Sequence, residues 1–388
     1  MKKQNWFVQF VTGESPLLLA AVTVFALVLR MQFFPYVSTD YTLFLQGWFS
    51  ELKVGGGFAA IGRNIGDYMP PYFYLLAFLT YLPGRPLFLI KGLSFLGDVV
   101  LAFFAMRIVE RQRGKFWGCI VYATVLFLPS VILNSGAWAQ CDAIYTAALL
   151  ACVYFVMKKR DYAAVAAFSV AFVFKLQTVF LAPFLLLMLL KKRIRWRCVL
   201  VFPAVYLAAI LPSALMGRSF TDLLTVYFRQ AGEYSSISMN LPNLAVWYPA
   251  DTPVPTGHLL ALAAVLAALV LVFVLWRLDF ELTDEMILSL AFLSVLFVPY
   301  FLPYMHERYL YPADIFSVLF AFYLPEKFYI PIITVFSSTA VVGEFLFGTH
   351  LVSVKLLSVL MFFCLLWVML TVFFAAKGKR FRLQRLHR

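Results

Sequence analysis

Four short polar segments interrupt an otherwise apolar chain, and their residue types suit acid–base and phosphate chemistry. They are Asp40-Tyr41, Gln140-Cys141-Asp142, Lys175-Leu176-Gln177 and His306-Glu307-Arg308. A carboxylate such as Asp40 can act as a general base towards a hydroxyl group. Arg308 can bind a phosphate through its fork of donors, and His306 can add another donor. Lys175, the only charged residue between Asp161 and Lys191, can supply a second positive charge.

Each segment also has a simpler structural interpretation. Aspartate is a common helix N-cap, so Asp40 and Asp142 could each cap a helix, and spacing alone favours the cap for Asp40. Lys175 could extend its ammonium group to the lipid headgroups, and Glu307 could pair with Arg308 at the membrane interface. Ionisable groups at membrane depth are costly and usually mark a functional site, which keeps the functional interpretation open for all four segments.

The composition identifies a membrane protein. The chain has 388 residues, of which 63% are hydrophobic and 13% are charged, whereas a soluble domain has about 25% charged residues. Uncharged apolar stretches of about the 20 residues needed for a spanning helix recur along the chain. The net charge of +13 does not indicate nucleic-acid binding, because most Lys and Arg residues lie in short runs between apolar segments, as the positive-inside rule predicts.

The basic runs predict an all-α bundle of about twelve transmembrane helices with both termini in the cytoplasm. The predicted crossings are 16–34, 87–108, 116–133, 141–157, 162–174, 176–190, 196–215, 258–276, 285–303, 310–324, 328–347 and 351–376. Two large loops, 35–86 and 216–257, are then extracytoplasmic, and the four polar segments share that face. We expect one transmembrane domain over residues 1–376, followed by a basic cytoplasmic tail over 377–388 that lies on anionic headgroups.

The first outer loop is predicted to carry interfacial helices. Phe44, Leu45, Trp48, Phe49 and Leu52 recur at helical spacing, which is typical of an amphipathic helix on the membrane surface. The apolar stretch 70–82 is too short to span a membrane.

Further polar residues lie in this loop and in the next crossing. Arg63, Asp67 and Tyr68 precede Pro70 and could face a substrate or the solvent. Asp98 lies within a predicted crossing, where a hydrogen bond to a neighbouring helix is the better interpretation.

Several catalytic motifs are absent from the sequence. It contains no Walker sequence, no Gly-rich dinucleotide turn, no HExxH and no GxSxG. The outer loops contain no Asp-x-Asp or Glu-x-Asp pair, which disfavours a metal-dependent sugar-nucleotide site. The scattered cysteines show neither metal spacing nor a disulfide framework.

The order of the polar segments resembles that of GT-C-fold glycosyltransferases, which use polyprenyl-phosphate sugars. The resemblance is to bacterial relatives of the GPI mannosyltransferases and of the dolichyl-phosphate-glucose-dependent glucosyltransferases. An aspartate follows the first crossing (Ser38-Thr-Asp40-Tyr), and Asp67-Tyr-Met-Pro-Pro71 ends the first loop. A Lys-Gln-like pair (Lys175-Leu-Gln177) precedes a proline, and a His-Glu-basic element (His306-Glu-Arg308) follows a late crossing.

This resemblance implies roles for particular residues. Asp40 is then the catalytic general base, and His306 and Arg308 hold the donor phosphate together with Lys175. The supporting residues are Tyr41, Arg63, Asp67, Tyr68, Gln140, Asp142, Gln177 and Glu307. The pair Lys175 and Gln177 departs from the adjacent Lys-Gln of relatives. The single acidic residue at Asp40 favours a reaction without a metal, and no cofactor is expected besides the lipid-linked donor.

The expected function is therefore an inverting transfer of one sugar from a polyprenyl phosphate, such as undecaprenyl phosphate, to a cell-envelope glycan or glycolipid. A bacterial plasma membrane location, an extracytoplasmic active site and a monomeric state are expected with it. Two alternatives remain open at this stage. A transporter or flippase of lipid-linked saccharides would show inverted repeats and broken helices near the midplane. A polysaccharide polymerase or ligase would have a larger Arg-rich outer loop.

Overall fold

The computed structural model of the protein describes residues 15–230, 236–249 and 251–378. The predicted cytoplasmic N-terminus and residues 379–388 of the predicted basic tail lie outside these ranges. The chain divides into two compact units. The first comprises residues 1–179, 195–235 and 342–349, and the second comprises 180–194, 236–341 and 350–388. That residues 1–376 form a single domain stays a prediction.

The described chain is almost entirely helical, which confirms the predicted all-α class. Its α-helices are α1 (Ser15–Met31), α2 (Gln46–Val54), α3 (Pro70–Leu79), α4 (Pro86–Arg113), α5 (Lys115–Leu126), α6 (Pro129–Ile132), α7 (Asp142–Met157), α8 (Asp161–Phe174), α9 (Ala182–Leu190), α10 (Val201–Leu215), α11 (Phe220–Gln230), α12 (Val254–Arg277), α13 (Asp284–Phe301), α14 (Tyr311–Tyr323), α15 (Tyr329–Phe347) and α16 (Val354–Ala376). Two π-helical segments, Tyr41–Leu45 and Leu133–Trp138, precede α2 and follow α6. Short 3-10 segments cover Gly57–Ala60, Leu176–Leu181, Trp196–Leu200, Leu244–Trp247, Glu307–Leu310 and Pro325–Lys327. Two short strands, β1 (Ser238–Met239) and β2 (Met305–His306), pair in parallel.

All twelve predicted crossings are helical in the structure. Six helical stretches are long and apolar enough to cross a membrane: α4, Trp196–Leu215, α12, α13, Pro325–Phe347 and α16. The crossing predicted over 116–133 contains a break: α5 and Pro129–Trp138 meet at a 52° bend, and counted as one span they would make a seventh. Pro129 causes the break, since it has no amide hydrogen and forces Leu128 out of the helical region to φ −62°, ψ 131°.

In the first unit, α4 packs against α5 and α7, and α7 packs against α8. The helix predicted from the stripe between Phe44 and Leu52 is present, but the stripe does not face lipid as predicted. Leu45, Trp48, Phe49 and Leu52 are buried in a cluster with α3. Only Phe44, with 46% of its surface accessible, remains exposed. The apolar face therefore fixes the segment that follows Asp40 to the protein.

A fully buried ion pair joins α1 to α4. The Arg30 Nε atom donates to Asp98 Oδ2 at 2.9 Å, and Ser135 Oγ donates to the same oxygen at 2.6 Å. The two terminal nitrogens of the Arg30 guanidinium group donate to the carbonyls of Ala26 and Leu126. Asp98 thus has the structural role expected for it, and Ser135 ties the π-helical segment Leu133–Trp138 to this pair.

In the second unit, α13 packs against α14 and α16, and α9 packs against α12. The β1 strand, from the second large outer loop, pairs with β2 immediately before the Glu307–Leu310 turn. Asn243 fixes the loop by donating through Nδ2 to the carbonyls of Pro299 at 3.0 Å and Leu302 at 2.9 Å.

Candidate active site

The loop that carries Asp40 is held by a buried lysine on α4. Lys91 is fully buried, and its ammonium group donates to the carbonyls of Phe33 at 2.9 Å, Phe34 at 3.2 Å and Tyr36 at 2.6 Å. These carbonyls follow the end of α1, where helical carbonyls lose their partners. Lys91 therefore closes the end of the first helix and fixes the path of the chain towards Asp40.

Ser38 links this loop to the turn that carries Gln140. Its hydroxyl donates to the Trp138 carbonyl at 2.9 Å and accepts from the Tyr41 amide at 3.3 Å. Ala139 lies in the left-handed region at φ 65°, which is uncommon for a residue with a side chain. The turn places Gln140 two residues after the end of one π-helical segment, and Asp40 directly precedes the other. Such segments are frequent at functional sites.

A chain of polar contacts connects Asp40, Gln140, Lys175 and Asp142. Gln140 Nε2 donates to Asp40 Oδ2 at 2.7 Å, and Lys175 Nζ donates to Gln140 Oε1 at 3.4 Å. Lys175 Nζ also donates to Asp142 Oδ1 at 2.5 Å, and Asn134 Nδ2 donates to Asp142 Oδ2 at 2.7 Å. The structure thus brings together three of the four polar segments of the sequence, and we call these residues the carboxylate network.

Exposure distinguishes Asp40 from the rest of the network. Asp40 is half-buried, whereas Gln140, Asp142 and Lys175 are 5%, 1% and 4% exposed. The buried positive charge of Lys175 is opposed by the buried negative charge of Asp142. Asp40 is therefore the network's accessible carboxylate, held by an amide on one oxygen, and it can accept a proton from a bound hydroxyl group.

The simpler interpretations of these residues do not hold. Asp40 has helical dihedral angles and makes no cap hydrogen bond; Ser38 supplies an oxygen to the Tyr41 amide instead. Asp142 is the first residue of α7, and its carboxylate accepts hydrogen bonds from Lys175 and Asn134. Lys175 is buried and ion-paired, so it does not extend to the headgroups.

Aromatic side chains cover one side of the network. The Tyr68 ring centroid lies 5.4 Å from Lys175 Nζ, within reach of a cation–π contact, and 5.2 Å from the Trp48 centroid. Burial raises the pKa of Tyr41. Burial, together with negative charge that includes Asp142, raises the pKa of Tyr72 well above its usual range. Both phenols are therefore neutral groups at physiological pH.

The second unit holds the predicted phosphate-binding element. His306 and Arg308 side chains are 15% and 12% exposed and flank the buried Glu307, each with its nearest nitrogen 3.9 Å from a Glu307 oxygen. Tyr309 packs beside both, with centroid distances of 5.3 Å to the His306 ring and 5.7 Å to the Arg308 guanidinium carbon. The pairing of β1 with Met305 and His306 fixes the backbone of this element.

Other predicted site residues lie outside the carboxylate network. Arg63 is exposed, and Asp67 and Gln177 are half-buried. Over the described ranges, no hydrogen bond joins Arg63 or Gln177 to the network. The sequence interpretation missed Lys91 and Asn134. Lys91 had a detectable signal, since it is a lone charge at the start of a long apolar segment, whereas Asn134 had none.

An apolar groove of about 580 Å³ adjoins the turn that contains Lys175. Its lining is formed by Phe172, Leu176, Val179, Phe202, Pro203, Tyr206, Leu207, Leu224, Tyr227 and Phe228. Leu176 directly follows Lys175 in the chain, and the Tyr227 hydroxyl donates to the Phe172 carbonyl across the groove wall at 2.5 Å. The groove volume lies within the range of small-molecule sites.

Comparison with known families identifies the class of protein. The model of glycosyltransferase family 87 matches residues 68–303, which is more than half of the chain. The chain therefore belongs to glycosyltransferase family 87, a family of membrane glycosyltransferases of the GT-C type, and the resemblance noted in the sequence is confirmed. The match includes Gln140, Asp142 and Lys175 but not Asp40 or His306. A search of curated proteins found no match. Within the described ranges, no group of three or more His, Cys, Asp or Glu side chains is placed to hold a metal ion.

Proposed function

We propose that the enzyme transfers one sugar, with inversion, from a polyprenyl-phosphate donor to a hydroxyl group of a cell-envelope glycan or glycolipid. Asp40 is the general base. The observation that carries the proposal is the position of Asp40, a half-buried carboxylate whose Oδ2 atom is held at 2.7 Å by the buried Gln140 amide.

The chemistry needs little beyond this base and positive charge at the phosphate. As the acceptor oxygen attacks the anomeric carbon, the bond from that carbon to the phosphate oxygen breaks, and the hydroxyl proton passes to Asp40. The phosphate leaves with an added negative charge, which positioned cationic donors stabilise. Because no divalent ion is required for this step, we propose a metal-independent reaction.

His306 and Arg308 are the proposed donor-phosphate ligands. Both are partly exposed beside Glu307, at distances of 3.9 Å that exceed a hydrogen bond. The guanidinium fork of Arg308 matches the geometry of a phosphate.

The apolar groove supports a lipid-linked donor or acceptor. Its lining is almost wholly hydrocarbon and aromatic, which is chemically matched to an isoprenoid chain. The groove begins one residue from Lys175, so an isoprenoid chain lying in it has its polar end near the carboxylate network.

The proposed location is the extracytoplasmic face of a bacterial plasma membrane. The basic runs support this orientation through the positive-inside rule. Cysteine labelling in a cysteine-free background tests it: a cysteine at Val54, which is 85% exposed, should react with an impermeant reagent from outside. A cysteine at Arg113 should react only after lysis. Outside labelling at 113 alone would place the network on the cytoplasmic face.

A donor comparison tests the function itself. Purified enzyme is supplied with membrane-extracted acceptor and either synthetic polyprenyl-phosphate hexoses, mannose first, or the corresponding nucleotide sugars, each with and without EDTA. We expect transfer only from the lipid-linked donors, with an inverted product anomer and no effect of EDTA. Transfer from nucleotide sugars, or complete loss of transfer in EDTA, would overturn the proposal.

A further inference from the structure

We infer that Lys175 and Gln140 are positioning residues that orient the Asp40 carboxylate. This inference rests on the proposed function, in which Asp40 is the base. It gives Lys175 a role different from the phosphate contact that the family resemblance implies.

The hydrogen-bonding properties of Lys175 and Asp40 allow only one orientation of the Gln140 amide between them. A lysine ammonium group only donates, and an ionised carboxylate only accepts. Lys175 therefore requires the Gln140 oxygen on its side, as observed at 3.4 Å, and this turns the Gln140 nitrogen towards Asp40 at 2.7 Å. The Lys175 contact is the longer of the two, so the ion pair with Asp142 at 2.5 Å is what holds the ammonium group in place.

The same arrangement orients the Asp40 carboxylate. The N–H group of Gln140 fixes Asp40 Oδ2, and a general base must be held within hydrogen-bonding reach of the proton that it takes up. Were the amide reversed, its oxygen would face the Asp40 oxygen, and both groups would be acceptors. Lys175 prevents this reversal through its contact with the Gln140 oxygen.

Charge balance explains why a buried lysine and a buried aspartate are both present. Lys175 and Asp142 neutralise each other at 4% and 1% exposure, and Asn134 donates to the second Asp142 oxygen at 2.7 Å. Removing only one charge leaves the other buried without its partner, which is far more costly than removing both. A phosphate ligand would instead need its positive charge available to the substrate.

The experiment compares Gln140→Met, Lys175→Met and the double variant Lys175→Met/Asp142→Asn with the wild type. Gln46→Met, an exposed glutamine on α2, is the matched control. Rates are measured with a synthetic polyprenyl-phosphate hexose, and thermal unfolding in detergent monitors the fold. Asp40→Asn is measured beside them as a reference for loss of the base.

We expect Gln140→Met to lower kcat by about 10- to 100-fold, as for the loss of one hydrogen bond to a charged group. The donor KM should change less than about twofold, since a positioning residue does not contact the donor. Lys175→Met should lower kcat at least as much, and the added Asp142→Asn change should restore about tenfold or more by removing the unpaired charge. Where Lys175→Met does not fold, Gln140→Met and the double variant still decide the question.

Three results would overturn the inference. A donor KM that rises equally in Lys175→Met and in the double variant, with no recovery of kcat, would make Lys175 a donor ligand. If Gln140→Met kept the wild-type kcat while Asp40→Asn was inactive, the positioning role of Gln140 and Lys175 would be refuted. The assignment of Asp40 as the base would not be affected. An active Asp40→Asn variant would instead remove the proposed base, and the inference with it.

Discussion

The sharpest prediction concerns the exchange of Asp40 for asparagine. The change preserves the size of the side chain and an acceptor oxygen for Gln140 Nε2, but it removes the ability to take up a proton. General bases contribute typically 10²- to 10⁴-fold to a rate. We therefore expect Asp40→Asn to lower kcat by about that factor while the protein still folds.

The structure also sets the expected cost in stability. The cap oxygen of this helix comes from Ser38, so no cap is lost with Asp40. The hydrogen bond from Gln140 changes from a charged to a neutral acceptor, a difference of about 1 kcal/mol, which corresponds to a shift in melting temperature of roughly 2–4 °C for a large domain. The Lys175–Asp142 pair is untouched.

The assay is transfer from a radiolabelled synthetic polyprenyl-phosphate hexose, with unfolding followed by tryptophan fluorescence in the same detergent. Glu51→Gln is the control, because Glu51 is an exposed carboxylate on the neighbouring helix α2, and its rate should equal that of the wild type. A rate within about threefold of wild type in Asp40→Asn would contradict the magnitude expected for a general base and return Asp40 to a structural role.

Further variants test the proposed phosphate ligand, the buried ion pair of the fold and the apolar groove. Arg308→Ala should raise the donor KM or lower kcat/KM by about 100-fold, by analogy with one lost transition-state donor. Arg308→Lys should recover part of the lost kcat/KM, because it keeps the charge but loses the guanidinium fork. Equal kcat/KM in Arg308→Ala and wild type would make Arg308 a structural partner of Glu307. Asp98→Leu should destabilise the fold by about 3–5 kcal/mol, because it leaves the buried Arg30 charge without its partner, and adding Arg30→Met should restore much of the lost stability. An unchanged melting temperature in Asp98→Leu would contradict a contribution of the ion pair to stability. Leu207→Trp, which fills the apolar groove, should raise KM for a long-chain lipid substrate but leave a short-chain analogue unaffected; equal KM values for both chain lengths would place the isoprenoid elsewhere.

Much of the helical framework is local and could be predicted from the sequence. Apolar stretches of spanning length and the basic runs between them predict where helices begin and end, because lipid leaves the backbone few alternatives to a helix. The break within 116–133 was not predicted, although its cause, Pro129, is present in the sequence. The helix after Asp40 was predicted correctly from its periodicity, but periodicity does not say whether an apolar face meets lipid or protein.

The candidate site divides in the same way. The sequence alone determined which polar segments interrupt the apolar chain. It therefore identified the candidate site residues Asp40, Gln140, Asp142, Lys175 and Arg308. Residue type and spacing could not separate a cap from a base at Asp40, or a phosphate ligand from an ion-paired lysine at position 175. Tertiary structure shows that Asp40 makes no cap hydrogen bond and that Lys175 is ion-paired. The sequence could not show this, because hydrogen bonds between residues far apart in the chain depend on how helices pack. Asp40 contacts Gln140, Lys175 contacts Asp142, and the buried Lys91 holds the loop that leads to Asp40 only once the first unit is folded.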